Sequence, residues 1–438
     1  MQHLSPLDGR YRAQTESLRP FFSEESLMRA RIEVEIRYFI ALASEPQIRE
    51  LPRLRVREIR ALEDLVRRFS LKDALEIRDI ERTTKHDVKA VEYFLRRKFE
   101  RIAGLKKFTH FLHFGLTSED VNNLAYGILI ERALRQVILP SLRRTWRSCG
   151  AMSRRWARVK MLSLTHGQPA TPTTVGKEFA VFADRLERQI MQFKSFRMQG
   201  KFGGAVGTYA AHRIAYPDLK WEVFGRKFIR SLKLIPLAHT TQINPHDDLA
   251  ELGHIAIRIN TILLDLSRDI WLYISRGVFR QKVAAGEVGS STMPHKVNPI
   301  DFENAEGNLG LSTALFSHFA EKLPVSRLQR DLSDSTVQRN IGVAFGYHLL
   351  AVSSLLRGLK KLSLDRRAVR RELKAHPEIL AEAIQTLLRK HGVAGAYEQL
   401  KKLTRGSEVT EKGLLKFADG LPLAKAEKAR LKGWPSVS

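Results

Sequence analysis

Cysteine is close to absent from this chain. Cys149 is the single thiol in 438 residues, so no disulfide can close within one chain and no thiolate cluster can hold a metal inside one subunit. Such usage fits a reducing compartment, and a cytoplasmic location is expected. The opening MQHLSPLDGR offers no apolar segment for a secretory signal. Long apolar runs are missing too. The most apolar stretch, Gly342 to Leu356, contains glycine, histidine and two serines and is closed by Arg339 and Arg357. It falls short of the roughly 20 residues that a bilayer span needs, so it reads as a buried bundle helix and no membrane partner is expected. Acidic residues are scarce beside basic ones, 47 against 74, for a formal charge of +27. That excess suits polyanionic partners. Lys and Arg are interleaved with Leu and Ile at 53–60, 143–160 and 360–374. They form solvated helix faces rather than a basic tail, and a specific nucleic-acid partner is not expected.

What is present is helical pattern. Hydrophobic residues make up 43% of the chain, enough for a substantial core. From Asp248 to Val278 the apolar positions Leu249, Leu252, Ile255, Ala256, Ile259, Ile262, Leu263, Leu266, Ile270 and Ile274 recur with the spacing of one helix face. At 1.5 Å per residue that helix is about 45 Å long. Lys177 to Met198 and Asn122 to Arg147 read as two more long helices, the second bent at Pro140. No alternating strand pattern persists, so the expected fold class is all-α, a long-helix bundle. Segment boundaries are expected near residues 106 and 359, giving an N-terminal helical domain (1–106), a central bundle (107–359) and a C-terminal helical domain (360–438). Gly and Pro punctuation gathers at Thr165 to Thr173, at Gly200 to Thr208 and in the polar loop 286–308.

The last of these carries chemistry. Gly286 to Glu303 packs a hydroxyl pair (Ser290, Ser291), a cation (Lys296), an amide (Asn298) and a carboxylate (Glu303) into eighteen residues. Long polar loops in helical scaffolds tend to carry function. The string SSTMPHKVNP resembles the signature loop of the fumarase/aspartase superfamily. Further blocks narrow the likeness: SPLDGRY (5–11), ERTTKHDVKAVEYFL (81–95), HFGLTSEDVNNLA (113–125), THGQPATP (165–172), TTQINPHD (240–247) and RDLSDSTVQRN (330–340). Together they resemble the adenylosuccinate lyases, close to the enterobacterial type, from about Ser5 to Lys432.

That resemblance implies a three-domain fumarase/aspartase-like fold and β-elimination of fumarate from adenylosuccinate to give AMP. It also implies elimination from the succinylated imidazole-carboxamide ribotide SAICAR to give AICAR, both in purine nucleotide biosynthesis. Such chemistry removes a proton next to a carboxylate and then expels nitrogen from the adjacent carbon. A base must reach the proton, an acid must protonate the leaving amine, and fixed donors must meet the charge that develops on the carboxylate. Read from the residues alone, either serine of the pair could be the base; the family pattern uses the first, Ser290. The resemblance makes His166 the general acid, with Glu303 hydrogen-bonded to its imidazole. Lys296 and Asn298 bind the carboxylate, and His86 supports the acid step.

The same resemblance assigns Thr117 and Ser118 to a succinyl carboxylate and makes Gln242 another substrate ligand. Thr117 and Ser118 also read as the cap of a helix, and both roles can hold, because helix N-termini bind anions. Arg10 with Tyr11, Arg330, and Ser335 with Arg339 are the phosphate candidates, since guanidinium geometry suits phosphate. Lys85, Asp87, Asn304, Thr336, Val337 and Gln338 complete the substrate contacts. Lys85 stands where relatives commonly carry Asn. His110 and His113 lack a third ligand at zincin spacing, so no metal is expected. No cofactor is expected either: there is no dinucleotide fingerprint, and Gly200 to Thr208 lacks the ending of a phosphate-binding P-loop. The superfamily builds each site from three subunits, so a homotetramer with shared sites is expected.

Overall fold

Helical periodicity in this sequence becomes helix, and caps set where each helix begins. The computed structural model describes residues 2–282, 293, 296–395, 397–398, 400–401, 410–421 and 423–432. The main helices are α1 (Glu24–Ala43), α2 (Leu71–Thr84), α3 (Asp87–Phe99), α4 (Ser118–Ala133), α5 (Leu139–Arg155), α6 (Val175–Ser195), α7 (Asp247–Ser275), α8 (Ile300–Lys322), α9 (Ser333–Gln338) and α10 (Ile341–Lys361). Strands among the described residues are short and form three two-stranded ladders. By contact the chain divides into two compact units. One comprises Met1–Arg143, Gln189–Leu263 and Gly307–Ser353; the other comprises Arg144–Arg188, Leu264–Glu306 and Ser354–Ser438.

In the first unit α1 packs on α4, and α2 pairs with α3. Helix α1 is buried nearly all round, including Ile32, Val34, Ile36, Tyr38 and Phe39. Its buried charges are therefore paired with other elements, as burial demands. Arg132 clamps Glu33 with two bonds of 2.7 and 2.8 Å. Burial raises the Glu33 carboxyl, and Arg132 pulls it back below its ordinary range. Asn260, on α7, ties three long helices together within this unit. It donates to Ser312 Oγ (3.1 Å) and accepts from His348 Nδ1 (2.7 Å), while Ser312 Oγ donates to Ala344 O (3.0 Å).

The helix expected from Asn122 to Arg147 is interrupted where Pro140 stands. A π-turn at Leu134–Ile138 separates α4 from α5. Proline lacks an N–H and its ring clashes with the preceding turn, so a widened turn ahead of it lets the helix continue. The stretch Thr165 to Thr173, read as a punctuated loop, is a β-hairpin instead: β1 (Lys160–Thr165) pairs with β2 (Gln168–Thr174). Pro169 and Pro172 are compatible with it because each strand of a two-stranded ladder has a free edge. The apolar segment at 342–356 lies inside α10. Ser333–Lys361 is long and apolar enough to cross a membrane by length and composition, and its most apolar window is 67% buried, as in a core helix.

Two histidines of the first unit are buried and neutral. Tyr38 Oη lies 3.2 Å from His212 Nε2, and the ring contacts Trp221 at 4.5 Å. Burial lowers His212 and His348 to about 4 each. Unfolded histidine titrates near 6.5, so between about pH 6.5 and 4 the unfolded chain binds more protons and stability falls as pH drops. Each ring is expected to contribute about 3 kcal/mol of that loss at pH 4. Denaturant midpoints measured at pH 7 and 4.5 check this, and equal midpoints would contradict it.

Lys85 terminates α2 in the left-handed conformation, with φ of +52°. Asn occupies that region with less strain than Lys. Lys85→Asn is expected to stabilise the chain by about 0.5–1 kcal/mol. An unchanged or lowered denaturant midpoint would contradict it.

Candidate active site

The junction between α2 and α3 is two residues long, and its second residue is His86. The His86 side chain caps α3: Nδ1 accepts from the Lys89 N–H at 3.2 Å. An accepting Nδ1 leaves the proton of a neutral ring on Nε2. That Nε2 lies 3.4 Å from Ser118 Oγ, at the start of α4. Thr117 is the N-cap of α4, and its N–H donates to Asp120 Oδ2 at 2.9 Å. The capping reading and the anion-site reading therefore describe one place, where a helix N-terminus, a hydroxyl and an imidazole N–H meet.

Next to His86, Asp87 is held by two guanidiniums. Arg31, almost fully buried, donates from Nη2 to Asp87 Oδ2 at 2.6 Å and from Nε to Asn122 Oδ1 at 2.8 Å. Arg339 Nη2 lies 3.4 Å from the same Asp87 oxygen. Burial raises the Asp87 carboxyl, but Arg31, the Val88 N–H and Arg339 outweigh it and hold it below the usual carboxylate range. A cavity of about 420 Å³ opens here, with Arg31, Arg78, Arg82, Lys85 and Arg339 set against Glu24, Glu81 and Asp87. Five cations against three carboxylates leave it electropositive, which suits an anionic ligand.

The 240–247 and 326–339 segments belong to the same unit. Gln242 donates from its side chain to Ala205 O (2.9 Å) and from its backbone to Gln329 O (3.3 Å). Gly207 underlies this contact: at φ of +77°, a Cβ there would stand 2.2 Å from Thr240 O. Arg330 Nη1 donates to Glu119 Oε2 at 3.3 Å. Ser335 is half-buried, its N–H bonded to the Asp334 carboxylate at 2.7 Å. Thr336 and Arg339 are exposed and Val337 is half-buried. Gln338 is buried and directs its amide to His246 Nε2 at 3.0 Å. Arg10 is exposed, with its guanidinium 5.9 Å from the Tyr11 ring centre.

In the second unit His166 sits at the apex of the β1–β2 hairpin. His166 and Gly167 form its two-residue turn, both with positive φ (+53° and +73°). Positive φ at both central positions is the requirement of a type I′ turn. The imidazole is thus exposed on a short, stiff support. Glu303, in the first turn of α8, accepts from Trp271 Nε1 at 3.1 Å. Among the described residues, no hydrogen bond joins Glu303 to His166. Lys296 is exposed, and its N–H donates to Met293 O at 3.0 Å. Asn304 accepts from Ser354 Oγ at 2.7 Å, and Asn298 is half-buried. Ser290 and Ser291 lie outside the described residues.

Several residues around these sites escaped the reading of the motifs. Asp120 and Lys201 are fully buried. Lys201 Nζ donates to Asp120 Oδ1 and to Gly204 O, both at 2.7 Å. Asp120 also accepts from the Gly203 and Gly204 N–H groups at 3.0 Å. One carboxylate therefore caps α4 beside Thr117 and fixes the glycine-rich loop on which Gln242 rests. Glu119, His246 and Asp334 form a second buried cluster, with potential ligand atoms within 4.8 Å of one another. Burial raises the Glu119 carboxyl against the pull of His246 and Arg330. Burial also raises Asp334, but the nearby His246 ring and the charge of Arg330 prevail and lower it. For three of them a signal was present: Glu119 and Asp120 stand inside LTSED and His246 inside TTQINPHD.

Comparison with known proteins accords with this geometry. The Lyase family matches residues 9–311, and the adenylosuccinate lyase C-terminal family matches residues 326–436. An adenylosuccinate lyase from Legionella pneumophila (strain Corby) is 51% identical over 428 residues, covering 98% of this chain and 94% of its own length. The Escherichia coli (strain K12) adenylosuccinate lyase is 50% identical over 429 residues, with the same coverage. Among solved structures, a fumarate lyase from Mesorhizobium sp. BNC1 superposes with a TM-score of 0.76 at 18% identity, covering 95% of this chain and 93% of its own. A 3-carboxy-cis,cis-muconate lactonizing enzyme from Pseudomonas putida gives 0.75 at 21%, covering 95% and 92%. These structures share the fold, which is all-α and of the fumarase/aspartase type. With half of its residues shared over nearly its full length, this lyase belongs to the adenylosuccinate lyase family.

Proposed function

We propose that the chain eliminates fumarate from adenylosuccinate to give AMP, and from SAICAR to give AICAR, as a cytoplasmic enzyme of purine nucleotide synthesis. The observation that supports this best is the layout of the first unit. A helix N-terminus bearing Thr117 and Ser118 stands beside His86, and an electropositive cavity lined by Lys85 and Arg339 lies next to it. A ligand with a dicarboxylate end and a phosphate end matches both features.

In this reading Ser290 removes the proton and His166 protonates the leaving nitrogen, with Glu303 turned to the imidazole when substrate is bound. Lys296 and Asn298 meet the negative charge on the carboxylate. Arg10, Tyr11, Arg330, Ser335 and Arg339 take the phosphate. Adding adenylosuccinate to the purified enzyme and following AMP and fumarate tests the function. Equimolar appearance of both is expected, and absence of fumarate would end the reading.

We also propose a homotetramer whose sites draw residues from more than one subunit. Large apolar side chains stand exposed along the long helices: Met191 at 57%, Leu272 at 51% and Leu311 at 51%. Exposed apolar side chains repeated along helices suit contact with further helices. Sedimentation of the active enzyme is expected to show a tetramer, and a fully active monomer would refute the shared site.

A further inference from the structure

Three of the sequence blocks converge on the buried Glu119–His246–Asp334 cluster. Glu119 follows Ser118 in LTSED, His246 lies four residues beyond Gln242 in TTQINPHD, and Asp334 precedes Ser335 in RDLSDSTVQRN. All three are at most 3% exposed. Gln338, also buried, bonds His246 at 3.0 Å, and Asp334 Oδ2 lies 3.7 Å from His246 Nε2. Arg330 reaches the cluster from nearer the surface: its Nη1 donates to Glu119 Oε2 at 3.3 Å and its side chain is 20% exposed. Glu119 Oε1 and His246 Nδ1 have no hydrogen-bond partner among the described residues. Incompletely bonded buried charges are poor stabilisers, because removing them from water is expensive. A cluster of that kind is better explained by what it orients.

We propose that Glu119 is the positioning residue for nucleotide phosphate: it holds the Arg330 guanidinium in place, and His246, Asp334 and Gln338 lock the segment 330–339 against the N-terminus of α4. The inference rests on the phosphate role of Arg330 under the proposed function. It adds that the phosphate end and the succinyl end of the site are built on one buried junction. Its geometry follows from adjacency: Glu119 faces inward to Arg330 while its neighbour Ser118 faces His86. Gln242 joins the same junction through its backbone bond to Gln329 O.

The test uses the full-length assembled enzyme. Glu119→Leu removes the acceptor for Arg330 at similar volume. It is expected to raise KM for adenylosuccinate and the inhibition constant of AMP about tenfold, the size of a lost hydrogen bond to a charged group. The change in kcat should stay below about threefold, and inhibition by fumarate, which has no phosphate, should stay within about twofold. Glu119→Gln, which keeps an acceptor, should recover most of the affinity. If the leucine variant does not fold, Glu119→Asp, which withdraws the carboxylate by one methylene, should shift AMP affinity in the same direction. In an Arg330→Gln background, Glu119→Leu should have no further effect on AMP affinity. Unchanged AMP inhibition in the folded leucine or aspartate variant, or an equal loss of fumarate affinity, would overturn the proposal. The underlying reading fails separately: if Arg330→Gln alone leaves AMP affinity unaltered, Arg330 is not a phosphate ligand and Glu119 has nothing to position.

Discussion

Ser290→Ala and His166→Ala are each expected to lower kcat by roughly 10²–10⁴-fold or more with the fold intact, the range that positioned proton transfer contributes. The argument is strongest for His166. Its ring is exposed at the hairpin apex, so alanine there removes little packing, and the Thr165–Gln168 pairing that closes the turn needs no imidazole. Alanine does meet a positive φ at that position, so a small loss of stability should accompany the large loss of turnover. For Ser290 the expectation rests on the signature loop of the family. A hydroxyl is a weak base, and its work depends on neighbours that stabilise the alkoxide. The check is fumarate release under saturating substrate, together with circular dichroism and a thermal melt on each variant. Near-full turnover from either variant would remove that residue from the chemistry.

The largest effect on stability is expected at Lys201. Lys201→Met keeps the side-chain volume but leaves Asp120 as an uncompensated carboxylate, 0% exposed. Breaking a buried pair on one side is expected to destabilise by about 3–5 kcal/mol. The damage should extend to function, because Asp120 also anchors Thr117 and the N–H groups of Gly203 and Gly204. The double variant Lys201→Met with Asp120→Asn should recover part of the stability, since the stranded charge is gone. It should not recover substrate affinity to the same extent, because an amide holds the loop N–H groups less firmly than a carboxylate. Denaturant midpoints and KM, measured on both variants, separate the two effects. A Lys201→Met protein as stable as the parent would show that the pair is not a structural charge pair.

Much of this architecture can be read from pattern alone. The stripe from Leu249 to Ile274 lies within α7, and the apolar positions of Lys177 to Met198 fall mostly within α6. Period 3.6 in apolar residues is a local property, and a chain that must bury one face of each helix has few other solutions. Caps were legible for the same reason: Thr117 and Asp120 are three residues apart, and in a capping box each side chain takes the backbone N–H of the other. Other features were not local. The hairpin at Thr165 was hidden by its prolines, and its turn is marked by His-Gly rather than by the usual Asn-Gly. The π-turn before Pro140 depends on how the chain accommodates a ring, not on the pattern of its residues. Both compact units are assembled from three separated stretches of chain, a division that no linear reading contains.

By itself, the sequence determined the all-helical class and the family, and it offered candidate residues for acid, base and anion binding. Those depend on side-chain chemistry and on spacings of a few residues, which a string records in full. Tertiary structure alone decided which charges are buried together. Asp120 meets Lys201 across 81 positions and Arg330 meets Glu119 across 211. Whether a charge is a solvated decoration or a fixed part of a site depends on the dielectric around it and on the partner opposite, and both are set only when distant helices close over it.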